Sequence, residues 1–248
     1  MSRTRLQDLV ISLYERNQVQ LDEIFNHPDF EQFQTKHELK LPKHELIMAF
    51  THTSFAHEYQ VPHQELLEFL GDSVLQLILT DELYRRFPQE NEGRLSKLRS
   101  ALVNEKTLST MAKSLGLNEL ILVGKGESKR GLMNHEAVLA DTIEALLGQI
   151  YRHHGFDKAK SLFLNWINQF VPNAFAAGFL DDFDAKSQLQ EAVLAKYKKL
   201  PRYTAEAKGE VFEVKLWIND QVVALGDFVS KKNGEKQLAQ DALKKGLV

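Results

Sequence analysis

Apolar residues recur at spacings of three and four along residues 1 to about 170, and no stretch of useful length there alternates between apolar and polar residues. This spacing puts apolar side chains on one side of a helix, and such helices bury that side against one another. The sequence therefore predicts a mostly α-helical domain. The predicted helices are 6–15, 44–51, 64–86, 94–115, 136–153 and 158–170.

The pattern changes after residues 172–183, a stretch of mixed composition without a period that predicts a linker. Helical spacing then returns, three segments alternate between apolar and polar residues, and a helical segment ends the sequence. Asn219 and Asp220 predict a hairpin turn between the last two strands. The order α-β-β-β-α predicts a small α+β module. Its predicted elements are 185–198, 203–207, 212–218, 222–229 and 231–247.

Composition narrows the class of protein. The 248 residues are 43% hydrophobic and 26% charged, which is ordinary for a globular protein and excludes collagen-like and mostly disordered chains. Cysteine is absent, which excludes a disulfide framework, a thiolate zinc site and a cysteine nucleophile, and we expect a cytoplasmic protein. The sequence predicts neither a signal peptide nor a membrane span.

The net charge of −3 is unevenly distributed along the sequence. Residues 184–248 contain 12 Lys and Arg against 9 Asp and Glu, a balance of +3. Residues 1–183 contain 19 Lys and Arg against 25 Asp and Glu, a balance of −6. The net charge of the whole chain argues against indiscriminate binding to polyanions. The predicted C-terminal module is nevertheless basic, whereas the rest of the chain is acidic.

Two groups of acids lie inside otherwise apolar predicted helices. Glu65, Glu68 and Asp72 fall within about 60° of one another around the first helix. Asp141 and Glu144 repeat the spacing of three on the second. Carboxylates at this spacing repel one another by roughly a few tenths of a kcal/mol per pair, and more when partly buried, unless a cation is bound. The predicted buried residues of the first helix are Leu67, Phe69, Leu70, Val74 and Leu75.

If the two helices pack together, Glu68, Asp72, Asp141 and Glu144 form an all-oxygen site that suits Mg²⁺ or Mn²⁺ and not zinc. Such sites support metal-assisted phosphoryl chemistry, in which the metal generates hydroxide from water. For either acidic pair alone, a solvated helix face is the commoner explanation. Two pairs inside apolar helices favour the metal site without identifying its substrate.

These residues resemble the ribonuclease III family, the double-strand-specific endoribonucleases with a helical catalytic domain and a C-terminal double-stranded RNA-binding domain. The resemblance covers nearly the whole sequence. The matching segments are 52–55 (HTSF), 65–75 (ELLEFLGDSVL), Arg99 with Leu102 and Val103, 125–127 (KGE) and 139–146 (LADTIEAL).

The resemblance implies that Glu68, Asp72, Asp141 and Glu144 hold the divalent metal that activates water, with Glu65 as a further catalytic acid. The implied cofactor is Mg²⁺, with Mn²⁺ able to substitute, and no small-molecule cofactor is implied. The family works as a homodimer that cuts both strands of an RNA duplex and leaves 5′-phosphate and 3′-hydroxyl ends. Ribosomal RNA stems and other structured precursor RNAs, including messenger RNA, are the implied substrates.

The implied domains are an N-terminal helical extension at 1–40, a catalytic domain at 41–171, a linker at 172–183 and a divergent RNA-binding domain at 184–248. A-form RNA is recognised by shape, and lysines at a helix start can hold its phosphates. Without the α-β-β-β-α context, a solvated helix start would explain those lysines better. The implied RNA contacts are Gln190, Glu191, Ser230, Lys231, Lys232 and Lys236.

The sequence departs from the family pattern in several places. Leu66 stands where a polar or basic residue is usual, although no metal ligand is lost. In the tail, the turn at 208–210 is short and lacks the histidine tip that enters the next minor groove. Phe228 replaces a glycine, and Asn233 and Gly234 replace better helix formers. These departures predict weaker RNA binding by the tail.

Two other functions are compatible with parts of the pattern. A non-catalytic RNA-binding or ribosome-associated relative would keep the fold, but a structural role gives no reason to retain a self-repelling group of acids. A metal-dependent phosphatase acting on small molecules would use the acids, but it would not need the basic tail.

Overall fold

Helices form the first part of the molecule, as the apolar spacing predicts. The computed structural model describes residues 5–16, 21–170, 175 and 179–247, and the chain forms two units, Met1–Ala174 and Phe175–Val248. The first unit contains α1 (Leu6–Arg16), α2 (Leu21–Phe25), α3 (Pro28–Lys36), α4 (Lys43–Ala49), α5 (Thr53–Tyr59), α6 (Glu65–Arg86), α7 (Glu92–Leu102), α8 (Glu105–Leu115), α9 (Lys125–Lys129) and α10 (Glu136–Phe170).

The single helix predicted at 94–115 is wrong, because this stretch contains most of α7 and the whole of α8. The Asn104 side chain accepts a hydrogen bond from the Thr107 backbone N–H at 2.9 Å and so caps the start of α8. Apolar spacing continues across this break, so the period alone does not reveal it. The capping residue is the signal that would have located it.

Helix α10 spans both helices predicted at 136–153 and 158–170. The helical conformation is interrupted at Gly155, whose φ of 79° lies in the left-handed region, and this glycine stands at the predicted end of the first helix. Although α10 has 35 residues, no helix in the described part of the chain is long and apolar enough to cross a bilayer.

The backbones of α6 and α10 touch where the two helices cross. A Cβ atom on Gly71 would lie 1.7 Å from the carbonyl oxygen of Glu144, and a Cβ atom on Gly148 would lie 2.2 Å from that of Leu67. Each glycine thus faces the carbonyl of the residue one turn before the other glycine. Because any side chain here would collide with backbone, the two glycines fix how closely the helices pack.

We expect Gly71→Ala to destabilise the protein by about 3 kcal/mol or more, because the added methyl group must push the two helices apart. Urea unfolding followed by circular dichroism measures the change. Gly126→Ala is the matched control, since a Cβ atom there meets nothing within 4 Å. Equal stability of the two variants would contradict the proposed role of the glycine contact.

One side of α6 exposes a row of large apolar side chains. Leu66 is 81% exposed and Phe69 77% exposed, and Leu77 and Tyr84 are also exposed. These four positions fall within about 80° of one another around the helix. The prediction that Phe69 is buried is therefore wrong for the single chain, whereas Leu67, Val74 and Leu75 are buried as predicted and Leu70 is half-buried.

The N-terminal helix α1 packs onto an extended segment that precedes α9. Gln7 Nε2 donates a hydrogen bond to the carbonyl of Ile121 at 2.7 Å, and the Tyr14 hydroxyl donates to the carbonyl of Val123. The carbonyl between them, on Leu122, instead accepts from the His52 backbone N–H at 3.0 Å. Helix α1 therefore satisfies alternate polar groups on one side of this segment.

The second unit has the predicted α-β-β-β-α order. Asn219 and Asp220 form its hairpin turn with positive φ values of 48° and 64°, as a type I′ turn requires. The three strands are antiparallel in the order β1-β2-β3, and both helices cover one face of the sheet. The elements are α11 (Phe179–Tyr197), β1 (Arg202–Lys208), β2 (Val211–Ile218), β3 (Gln221–Phe228) and α12 (Lys231–Lys244).

Much of the linker predicted at 172–183 lies outside the described residues. Within that range α11 already begins at Phe179, so the helix starts six residues before the predicted position. The sequence prediction treated the acidic residues of this stretch as a break in the period, although acids are favoured in the first turn of a helix.

Two of the unusual residues in the tail, Phe228 and Gly234, contact each other. A Cβ atom on Gly234 would lie 2.6 Å from Cδ2 of Phe228 and 2.6 Å from Cγ2 of Val214. Because the Phe228 ring fills this space, only a residue without a side chain fits at position 234. The two departures compensate each other, and the core of the module remains filled around Leu189, Val214 and Leu238.

Candidate metal centre

Three carboxylates meet where α6 crosses α10. Glu68 on α6 and Asp141 and Glu144 on α10 each offer one oxygen atom, and these oxygens all lie within 4.8 Å of one another. The glycine contact brings them together, because Glu68 is three residues before Gly71 and the carbonyl that faces Gly71 belongs to Glu144. All three side chains are half-buried. Glu68, Asp141 and Glu144 together form the carboxylate cluster.

Burial raises the pKa of every member of the carboxylate cluster. For Glu144, burial and then the charges of Asp72, Asp141 and Glu68 raise the pKa to about 8. For Glu68, burial is again the largest cause, followed by the charge of Asp141, and burial also raises the pKa of Asp141. In the absence of a cation, the cluster therefore holds a proton at neutral pH that a bound cation would displace.

The other two predicted acids lie beside the carboxylate cluster. The charge of Asp72 contributes to the raised pKa of Glu144, and its Oδ1 accepts a hydrogen bond from Gln76 Nε2 at 3.4 Å. Glu65 is exposed, and its Oε2 lies 3.7 Å from Nδ1 of His63. Asp72 is also exposed, and the charges of Glu65 and Asp72 both contribute to the raised pKa of Glu68, so both acids border the cluster.

The donor set of the carboxylate cluster fits a hard divalent cation. Its ligand atoms are carboxylate oxygens only, which Mg²⁺, Mn²⁺ and Ca²⁺ prefer over softer ligands. A divalent cation would also offset the repulsion among three half-buried acids. Across the described residues, no other group of three or more His, Asp or Glu side chains comes together in this way.

Two further segments of the resemblance contact each other in the first unit. The Ser54 hydroxyl accepts a hydrogen bond from the Gly124 backbone N–H at 2.9 Å, and the Glu58 carboxylate accepts one from the Lys125 backbone N–H at 3.0 Å. Ser54 is held in turn by the N-terminal cap of α5, where its backbone N–H donates to Nδ1 of His52 at 3.1 Å. Glu58 has no signal in the sequence, because its hydrogen-bond partner lies 67 residues away.

The predicted RNA contacts of the tail lie on α11 and at the start of α12. Ser230 caps α12, because its hydroxyl accepts a hydrogen bond from the Asn233 backbone N–H at 3.2 Å. An ion pair of 2.6 Å between Lys186 Nζ and Glu235 Oε2 joins α11 to the first part of α12. All members of the predicted set are exposed, namely Gln190, Glu191, Ser230, Lys231, Lys232 and Lys236.

Comparison with known proteins gives consistent matches. The family model described as Ribonuclease-III-like matches residues 43–170. Ribonuclease 3 of Borreliella burgdorferi is 39% identical over 203 residues, covering 79% of this chain and 82% of that protein. Ribonuclease 3 of Bdellovibrio bacteriovorus is 41% identical over 204 residues, covering 79% and 86%. The nuclease domain of ribonuclease III from Campylobacter jejuni has a TM-score of 0.55 at 38% identity, covering 58% of this chain and 99% of that domain.

The first unit is a helical domain with carboxylates gathered at a helix crossing, and the second has the double-stranded RNA-binding fold. This combination is typical of one class of endonuclease. The chain belongs to the ribonuclease III family, whose members are endoribonucleases that hydrolyse double-stranded RNA. The family and the fold predicted from the sequence are thereby confirmed.

Glu144→Gln is expected to stabilise the protein in EDTA at about pH 8 and to leave its stability unchanged at about pH 4.5. The pKa of Glu144 is about 8 in the folded protein and has its ordinary value of 4.5 when unfolded, so rising pH favours the unfolded state between these values. Glutamine cannot ionise. After allowance for solvent screening we expect about 1–3 kcal/mol, or several degrees in Tm.

Thermal unfolding followed by circular dichroism at the two pH values measures this effect. Asp157→Asn is the control, because Asp157 is an exposed acid on the same helix. A Tm shift of Glu144→Gln that is the same at both pH values would contradict the expected ionisation of Glu144.

Proposed function

We propose that this chain is a divalent-metal-dependent endoribonuclease that hydrolyses phosphodiester bonds in double-stranded RNA and leaves 5′-phosphate and 3′-hydroxyl ends. The observation that carries the proposal is the carboxylate cluster at the α6–α10 crossing, in a chain of the ribonuclease III family. Mg²⁺ is the proposed cation, with Mn²⁺ able to substitute, because both accept all-oxygen ligand sets.

In this proposal Glu68, Asp141 and Glu144 hold the cation. Asp72, which borders the carboxylate cluster, is the fourth ligand. When bound, such a cation supplies hydroxide from water and screens the charge that develops on phosphorus. The protein holds the ligands half-buried and closely spaced before any cation arrives. Little further reorganisation is then needed when substrate binds.

Cleavage of an end-labelled RNA duplex in the presence of Mg²⁺ is expected to fall at least about a hundred-fold in Glu144→Gln and in Asp72→Asn, because each change removes a carboxylate charge at the metal site. Asp157→Asn is expected to cut at the rate of the wild type. Single-stranded RNA and a DNA duplex should remain intact with all four proteins, and EDTA should abolish cutting.

Other outcomes point to other functions. Duplex binding without cutting in any divalent metal would contradict the proposed activity and favour a non-catalytic RNA-binding relative. Release of phosphate from a small monoester by a protein that leaves the duplex intact would favour a phosphatase. Undiminished cutting by both Glu144→Gln and Asp72→Asn would place the active site elsewhere.

A homodimer is part of the same proposal. The exposed row of Leu66, Phe69, Leu77 and Tyr84 runs along α6, and large apolar side chains grouped on one exposed side of a helix mark contact with another protein. The nuclease domain of the Campylobacter jejuni enzyme has a region involved in dimer formation. Leu66 enlarges the apolar row, although a polar or basic residue would be usual at its position.

Phe69→Glu is expected to convert a dimer to a monomer, because burial of this ring contributes about 2 kcal/mol per subunit and a buried carboxylate opposes association. Sedimentation velocity at micromolar concentration measures the change. Leu200→Glu is the matched control, since Leu200 is an exposed leucine in the second unit. A monomeric wild type, or a dimeric Phe69→Glu, would contradict the proposed interface.

The remaining assignments are proposals of the same kind. We propose the catalytic domain at 41–171 and the RNA-binding domain at 184–248, which the division of the chain into two units supports. We also propose a cytoplasmic enzyme that acts on stems of ribosomal and other precursor RNAs. The RNA-binding role of the tail residues belongs to this proposal.

A further inference from the structure

The turn between β1 and β2 is very short. Strand β1 ends at Lys208 and β2 begins at Val211, and these two residues pair directly across the strands. Only Gly209 and Glu210 project beyond the ladder. The turn therefore offers a single charged side chain to a ligand, and that side chain is an acid.

The turn lies at the same end of the module as the lysines of α12. Phe212, next to the turn, pairs with Phe228 at the end of β3, and α12 starts at Lys231 directly afterwards. The Lys231 ammonium lies 5.4 Å from the centre of the Phe212 ring. A duplex held by the lysines of α12 would therefore meet the turn next.

The open face of the sheet beside the turn carries a row of acids. Glu206 pairs with Glu213, and Glu213 pairs with Asp227, so three carboxylates lie side by side across the three strands. Residues directly opposite in a sheet point to the same face, and Val214, the next residue along β2, is buried in the core. The row therefore faces away from the helices.

Two basic residues of the strands, Lys208 and Lys215, are already paired with this acidic row. Lys208 forms an ion pair with Glu213, and Lys215 Nζ lies 2.9 Å from the other carboxylate oxygen of Glu213. The strands and the turn carry four acids here, Glu206, Glu210, Glu213 and Asp227, against two lysines, Lys208 and Lys215, which is a charge of −2. This charge repels phosphate, whereas the exposed Lys232 and Lys236 at the start of α12 attract it.

We infer that this module binds duplex RNA over one minor groove and its adjacent phosphates only, through α11 and the start of α12, and that the β1–β2 turn makes no RNA contact. This inference rests on the proposed function. Double-stranded RNA-binding domains generally span about 16 base pairs, across two successive minor grooves. The module therefore accepts stems that end, or are interrupted by a bulge, beyond the lysines of α12.

The test compares two exposed lysines of the same module in the full-length protein, Lys232 at the start of α12 and Lys208 beside the turn. Binding to a labelled perfect RNA duplex is measured in EDTA by fluorescence anisotropy over a range of salt concentrations. We expect Lys232→Ala to lower the affinity about five-fold and to reduce the salt slope by about one. Lys208→Ala should change the affinity less than about two-fold and leave the slope unaltered.

An equal loss in both variants would overturn the inference, because the turn would then contact phosphate. No loss in either variant would also overturn it, because α12 would then not hold the duplex. Cleavage by the same proteins in Mg²⁺ separates these results from the proposed function, since a wild type that cuts the duplex keeps the nuclease assignment whatever the lysines do. Thermal unfolding of each variant excludes a loss of folding.

Hydroxyl-radical footprinting on the same duplex gives a second measurement. The protections that disappear when Lys232 and Lys236 are both changed to alanine are those made by the module. We expect each module to protect one patch across one minor groove, so that a homodimer gives two patches. Two patches from each module, separated by a full helical turn of the duplex and giving four for a homodimer, would overturn the inference.

Discussion

The direct backbone contact between α6 and α10 is the constraint on which the site depends. Gly71 and Gly148 allow the helices to approach until each glycine faces a carbonyl group of the other helix. Glu68, Asp141 and Glu144 are on the turns next to this contact, so the approach that fills the core also forces the acids together. Close packing and electrostatic repulsion therefore oppose each other at one place, and a bound cation would offset the repulsion.

Much of the site could be predicted from the sequence, because its residue types and spacing carry the information. Acids three residues apart in an apolar helix indicate that they share one face of it. The two acidic helices, α6 and α10, also pack together as predicted. The distance of approach could not be predicted in this way. Gly71 and Gly148 have no side chain to contribute to a pattern, and only their three-dimensional partners reveal their role.

The incorrect predictions have physical causes of a different kind. Apolar spacing continues through Asn104, so one helix was expected where a side-chain cap starts a second. Phe69 satisfies the apolar pattern of a buried residue but is 77% exposed in the single chain. Apolar periodicity shows that a side chain avoids water, but it does not distinguish the core of one chain from the surface that a second chain would cover.

In the tail, the sequence departures have different effects on the fold and on the surface. Phe228 and Gly234 together keep the core filled, so two unusual residues preserve the fold. The shortened β1–β2 turn and the acids around it alter only the exposed surface. A fold can therefore be retained while the surface that meets a ligand changes, since packing is decided by paired volumes and recognition by exposed charge.

The packing of α1 has a consequence for the order in which the chain can fold during synthesis. During synthesis the carbonyl partners of Gln7 and Tyr14 leave the ribosome 114 and 109 residues after them. At about 5–20 residues per second, α1 waits roughly 5–20 s for those partners. An isolated helix of 11 residues is marginal in water, so α1 acquires its lasting structure only when the segment before α9 has emerged. Helix α1 is therefore made before these partners but is fixed in place only after them.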